Sequence, residues 1–134
     1  MTKAYEIWIV DDDADDREIL RDAFNGSREG DSYLFLENGD ALMAALEGRK
    51  AGELPALIML DLNMPGKDGR EALREIKSHE QFHRVPIVVF TTSSSDRDRN
   101  HCYGLGANCF VTKPDTFNKL VELAGHVQAL WLAH

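Results

Sequence analysis

An α/β fold, built as an open parallel sheet of five strands covered on both faces by five helices, is predicted by two features of the sequence. Short apolar runs alternate with helix-periodic segments along the whole chain, the pattern of strand–helix–strand crossovers. The runs also stop at chemically active residues: IWIV at Asp11-Asp12, LIML at Asp61, VVF at Thr91-Thr92 and CFVT at Lys113-Pro114. In an open parallel sheet, ligands bind beyond the carboxyl ends of the strands, so these stops gather three carboxylates, a hydroxyl and an ammonium into one cleft. Such a set suits a divalent metal and a phosphoryl group.

Tyr5 to Val10, rich in β-branched and aromatic residues, reads as the first strand. Ile19, Leu20, Ala23 and Phe24 give the next segment a helical apolar face, with Gly26 at its end and Asp13 as the cap of its start. Ser32 to Leu36 is a weaker second strand. Asn38 caps a helix from about Asp40, whose Ala41, Leu42, Ala45 and Leu46 share a face. Pro55 breaks the chain before a strand from Ala56 to Leu60, and MPGKDG is a loop by its punctuation. Ala72, Leu73 and Ile76 face inward on the following helix. Pro86 opens the strand Ile87 to Phe90, and Ser95 or Asp96 caps a polar helix ending near Gly104-Leu105-Gly106. Cys109 to Val111 is the short fifth strand, and Asp115 is placed to cap the last helix. The nearly unbroken apolar character of the strands is what burial on both faces requires.

At 134 residues and 43% apolar, the chain is expected to form a single domain over residues 1–134 with no output domain, and no linker, repeat or low-complexity stretch divides it. A net charge of -8 opposes general binding to nucleic acid or anionic membranes. Cys102 and Cys109 form no CxxC pair, so free thiols are expected and no zinc site. Charged residues arrive too early for a signal peptide and no run reaches membrane-span length, which predicts a cytoplasmic protein. His79, His83, His101, His126 and His134 are scattered and read as surface residues.

Like charges on Asp11, Asp12 and Asp61 would raise at least one pKa unless a cation compensates, and magnesium favours such oxygen ligands. Taken alone, Asp11 or Asp12 is as readily a helix cap, Lys113 a surface lysine and Thr91 a strand-ending threonine; their joint placement favours the chemical reading. Asp61 ends a buried strand before LNMPG, a turn able to aim the Asn63 carbonyl into the cleft. Aspartate in that setting can accept a phosphoryl group as an acyl phosphate, with positive charge supplied by the metal and by Lys113. Pro114 suggests a fixed peptide bond, cis among the options, that aims the lysine.

These residues resemble the receiver domain of bacterial response regulators, over essentially the whole chain. The acidic pair of that family falls on Asp11 and Asp12, its phosphoacceptor on Asp61 within MLDLNMPGKDG, its hydroxyl residue on Thr91 and its lysine on Lys113 in TKP. The resemblance implies a flavodoxin-like, doubly wound sheet of order 2-1-3-4-5. It also implies magnesium held by Asp12, Asp61 and the Asn63 carbonyl with Asp11 assisting, and transfer from a histidine kinase's phosphohistidine to Asp61. The phosphoryl group would be held by Lys113, the Thr91 hydroxyl and the Thr92 amide. Thr91 would then turn and vacate space for Phe110, the aromatic switch position, to move inward; Asn63 and Ser93 would influence the lifetime of the acyl phosphate. The domain would catalyse only its own phosphorylation and dephosphorylation.

VDDDADDRE, TTSSSDRD, GANCFVTKP and ALWLAH further resemble single-domain regulators paired with bacterial phytochrome kinases, a subgroup in which the Trp-containing end of the last helix supports a homodimer. On that helix Phe117, Leu120, Val121, Ala124 and Trp131 suit a core face, while Leu123, Val127 and Leu130 form a second stripe, a candidate dimer or kinase surface together with Trp131. Two alternatives stand beside this reading. One is a haloacid-dehalogenase-type phosphatase with Asp11 as nucleophile, although Asp15 stands where that class carries Thr or Val. The other is a receiver-fold binding module that is not phosphorylated.

Overall fold

The computed structural model describes residues 4–132. Its elements run β1 (Glu6–Val10), α1 (Ala14–Ser27), β2 (Ser32–Leu36), α2 (Gly39–Glu47), a short 3-10 turn (Ala51–Glu53), β3 (Leu57–Leu60), α3 (Gly69–Lys77), β4 (Ile87–Thr91), α4 (Asp96–Leu105), β5 (Cys109–Thr112) and α5 (Phe117–Trp131). The five strands are all parallel, in the order β2-β1-β3-β4-β5, as expected. The expectation for His134 lies outside the described residues, as does the end of the ALWLAH segment.

Alternation along the strands divides the core in two. Trp8, Val10, Ile58, Leu60 and Val89 pack with Leu42 and Leu46 of α2, Leu73 and Ile76 of α3 and Cys102 of α4. Ile7, Ile9, Met59, Val88 and Phe90 face the other way, against Leu20 and Phe24 of α1 and Leu120, Ala124 and Val127 of α5. The helices start where their caps stand: the Asp13 carboxylate accepts from the Asp15 and Asp16 amides, the Asn38 side chain from Ala41, and Ser95 from Asp98. α4 stops at Gly106, whose φ of +106° is the left-handed conformation that glycine adopts without strain.

Several expectations are corrected. α1 continues through Gly26 to Ser27, where the Arg28 amide bonds back to the Phe24 carbonyl. Thr116, not Asp115, caps α5; Asp115 instead pairs with Lys119 at 3.0 Å. Ile19 and Phe117, assigned to core faces, are 44% and 49% exposed. Val127, assigned to the candidate interface, is buried in the core, while Leu123 and Trp131 are half-buried against it and Leu130 is exposed. The cause is the neighbour: α5 packs beside α1, with Gln128 Nε2 donating to the Phe24 carbonyl, so its inward stripe is rotated towards α1. All described peptide bonds are trans, Lys113–Pro114 included.

Candidate functional site

The sheet ladder continues one residue past the strands. The Asp11 amide donates to the Leu36 carbonyl at 3.0 Å, the Asp61 amide to Val10 at 3.0 Å and the Lys113 amide to Thr91 at 2.7 Å. The backbones of three site residues are therefore fixed by the sheet itself. Gly69 secures the loop after Asp61, since a Cβ there would lie 2.1 Å from the Asp61 carbonyl oxygen.

Asp11, Asp12 and Asp61 each bring a carboxylate oxygen within 4.8 Å of the others. Asp11 and Asp61 are buried and Asp12 is exposed, so the cluster opens to solvent on one side. The Asp11 carboxylate has both oxygens engaged: one accepts from the Asp13 amide at 3.0 Å, the other from Lys113 Nζ at 2.9 Å. That leaves it poorly disposed to act as a nucleophile. Asp61 stands 3.9 Å from Lys113 Nζ, beyond hydrogen-bond range. Burial, followed by the Asp11 charge, pushes its pKa up to about 6, against the opposing pull of Lys113 and of the Asn63 and Leu62 amides. The Lys113 ammonium is itself half-desolvated, which works against its charge, yet Asp11, Asp61 and Asp16 raise its pKa on balance. A divalent cation fits this donor set, three oxygen ligands on one side of a cleft that opens to solvent at Asp12.

Thr91 is fully buried at the end of β4, and its hydroxyl accepts from the Ser93 amide at 3.4 Å. Thr92 and Asn63 are exposed beside the cleft. Phe110 lies on the opposite face of β5 from its neighbour Val111, buried in the core shared with α4. Its amide donates to the Tyr103 hydroxyl at 3.0 Å, and Arg99 stands 5.6 Å above its ring. The candidate interface residues Leu130 and Trp131 sit at the far end of α5, roughly 20 Å along the helix from its start beside Lys113.

Two features were not read from the sequence. Asp16 accepts a second hydrogen bond from Lys113 Nζ, at 3.1 Å. Once Asp13 is taken as the cap, Asp16 is the third helical residue, and helical side chains tilt towards the amino end and hence towards the cleft. Ser93 is a junction: its hydroxyl donates to Asp98 at 2.7 Å, its carbonyl accepts from the Thr112 hydroxyl at 2.8 Å, and Asp98 in turn accepts from Arg70 of α3 at 3.0 Å. No sequence signal marks that long-range pairing. Beside Lys113 a cavity of about 420 Å³ opens between α1 and α5, lined by Asp16, Ile19, Phe90, Phe117 and Leu120 among others. It accounts for the exposure of Ile19 and Phe117. The histidines form no metal group with other ligands among the described residues.

The family model of the response regulator receiver domain matches residues 7–124. The chain belongs to that family. As a receiver it has a phosphoacceptor role in two-component signalling, and receivers bind a divalent metal, as the acidic cluster allows. This receiver is 36% identical over 129 residues to Response regulator Rcp1 of Synechocystis sp., spanning 94% of this chain and 88% of the relative. The structure of the phosphorylated cyanobacterial phytochrome response regulator RcpA superposes with a TM-score of 0.87 at 35% identity, covering 98% of this chain and 96% of that one. The Mn(2+)-bound form of Rcp1 gives 0.84 at 35% identity, covering 96% and 95%. No helix among the described residues is long and apolar enough to cross a membrane.

Proposed function

We propose that Asp61 is the phosphoacceptor and that the physiological donor is the phosphohistidine of a sensor histidine kinase. The observation that carries this reading is the meeting of Asp61 with Asp11, Asp12 and Lys113 at the carboxyl edge of the sheet. Asp12, Asp61 and the Asn63 carbonyl, with Asp11 assisting, would hold a magnesium ion, which would neutralise the donor's phosphoryl charge. An Asp61 oxygen attacks phosphorus, an acyl phosphate forms, and the bond to the donor imidazole breaks with its electron pair leaving on nitrogen. Lys113, the Thr91 hydroxyl and the Thr92 amide hold the phosphoryl oxygens. The protein acts on no separate substrate.

The conformational change in this reading begins at Thr91. Its hydroxyl leaves the Ser93 amide for the phosphoryl group, and the β4–α4 loop and α4 follow as a population shift. The names of the relatives favour a phytochrome kinase as the partner. The exposed Leu130, with half-buried Leu123 and Trp131 beside it, is the proposed homodimer surface, and Val127 is withdrawn from it.

The test is intact-protein mass after incubation with magnesium and acetyl phosphate. One labile phosphate on the parent, absent without metal and absent from Asp61→Asn, is expected. A phosphate retained in Asp61→Asn would overturn the assignment.

A further inference from the structure

We infer that Asp16 is a positioning residue that competes with phosphoryl oxygens for the Lys113 ammonium and so sets the affinity of the site for phosphoryl anions. The inference deepens the phosphoacceptor reading and rests on it.

An ammonium has three N–H donors. Two of those on Lys113 are committed, to Asp11 at 2.9 Å and to Asp16 at 3.1 Å, while Asp61 stands at 3.9 Å, beyond hydrogen-bond range. Among the described residues the ammonium also stands 5.6 Å from the centre of the Phe90 ring, which offers no hydrogen-bonding oxygen. An anion arriving at Asp61 therefore meets a lysine whose charge is already shared between two carboxylates. To make more than one bond to it, the lysine must release a partner.

The two partners differ in what release costs. Asp11 has a side chain only 6% exposed, its other oxygen holds the Asp13 amide, and its backbone is tied to Leu36. Asp16 has a side chain 42% exposed on the first turn of α1, at the mouth of the cavity, where a freed carboxylate regains water. Asp16 is the partner that yields. Its replacement by a neutral residue removes both an internal competitor and a negative charge near the incoming anion, and the two effects have the same sign.

The experiment measures inorganic phosphate binding to the full-length protein at saturating magnesium, titrated by phosphorus-31 NMR, for the parent, Asp16→Asn, Asp16→Glu, Lys113→Met and the Asp16→Asn/Lys113→Met double variant. Asp16→Asn is expected to bind about two- to fivefold more tightly, the range that one partly exposed ion pair confers. Asp16→Glu, which keeps the carboxylate, returns affinity towards the parent. The gain shrinks when Lys113 is also replaced, which separates competition for the ammonium from a general change of charge. Equal affinity in parent and Asp16→Asn, including binding by neither, overturns the inference, as does a gain that is undiminished without Lys113. Because no phosphoryl transfer is needed, failure of acetyl phosphate to label the parent would count against Asp61 as acceptor and leave this comparison intact.

Discussion

Asp61 and Lys113 face each other at 3.9 Å, close enough for charge to matter and too far for a hydrogen bond. The carboxylate thus keeps its lone pairs unengaged by the ammonium, and the ammonium is held by Asp11 and Asp16 instead. An acceptor oxygen bonded directly to the lysine would have to break that bond before attacking phosphorus.

The raised pKa of Asp61 makes metal-free stability depend on pH. Folding holds a proton on Asp61 up to about pH 6, whereas the unfolded chain releases it near 3.8, so stability falls as pH rises across that window. Asp61→Asn carries no such charge. Its stability advantage in urea titrations without metal should grow from near zero at pH 3.5 to about 2 kcal/mol by pH 7 and then level off. Saturating magnesium should shrink the advantage or reverse it; an advantage independent of pH would contradict the assignment.

Gly69→Ala places a methyl group against the Asp61 carbonyl and the Leu62 backbone, neither of which is a flexible side-chain end. A loss of about 2 kcal/mol is expected in chemical denaturation, from forced backbone movement. Because the displaced segment carries Asp61, magnesium affinity should fall in the same variant when read by calorimetry.

Breaking the Ser93–Asp98–Arg70 chain should loosen the loop beside Thr91. In Asp98→Ala the amides of residues 93–95 are expected to exchange with deuterium at least several-fold faster, while global stability changes by less than about 1 kcal/mol, since the pair is partly solvated. Unchanged exchange in these residues would show that the loop is held by other contacts.

Leu130→Glu tests the proposed homodimer. The residue is 62% exposed and the substitution disturbs no buried contact of the core, so the folded state should survive while self-association is lost in light scattering across a concentration series. A dimer of unaltered strength would place the interface elsewhere.

The sheet and the carboxyl-edge cluster were legible because both are written locally. A buried strand must be apolar until it ends, and Asp11, Asp61, Thr91 and Lys113 stand where the four runs end. Asn38 and Ser95 were likewise readable as caps from their own short stretches. What escaped depended on partners distant in sequence. Val127 and Phe117 lie on adjoining stripes of one helix, and only the docking of α1 decides which stripe turns inward. Asp98 gave no hint of Arg70, 28 residues earlier, because a pairing of half-buried charges distant in sequence leaves no periodic trace.

The Tyr103 hydroxyl, bonded to the Phe110 amide, has a consequence for how copies of the protein can meet. β5 is one of the two terminal strands of the sheet, where unpaired amides invite a neighbouring chain to extend it. With only four residues and one amide already occupied by a side chain, that border is a poor template for strand addition. Extension of the sheet by a neighbouring chain is thereby disfavoured on the β5 side.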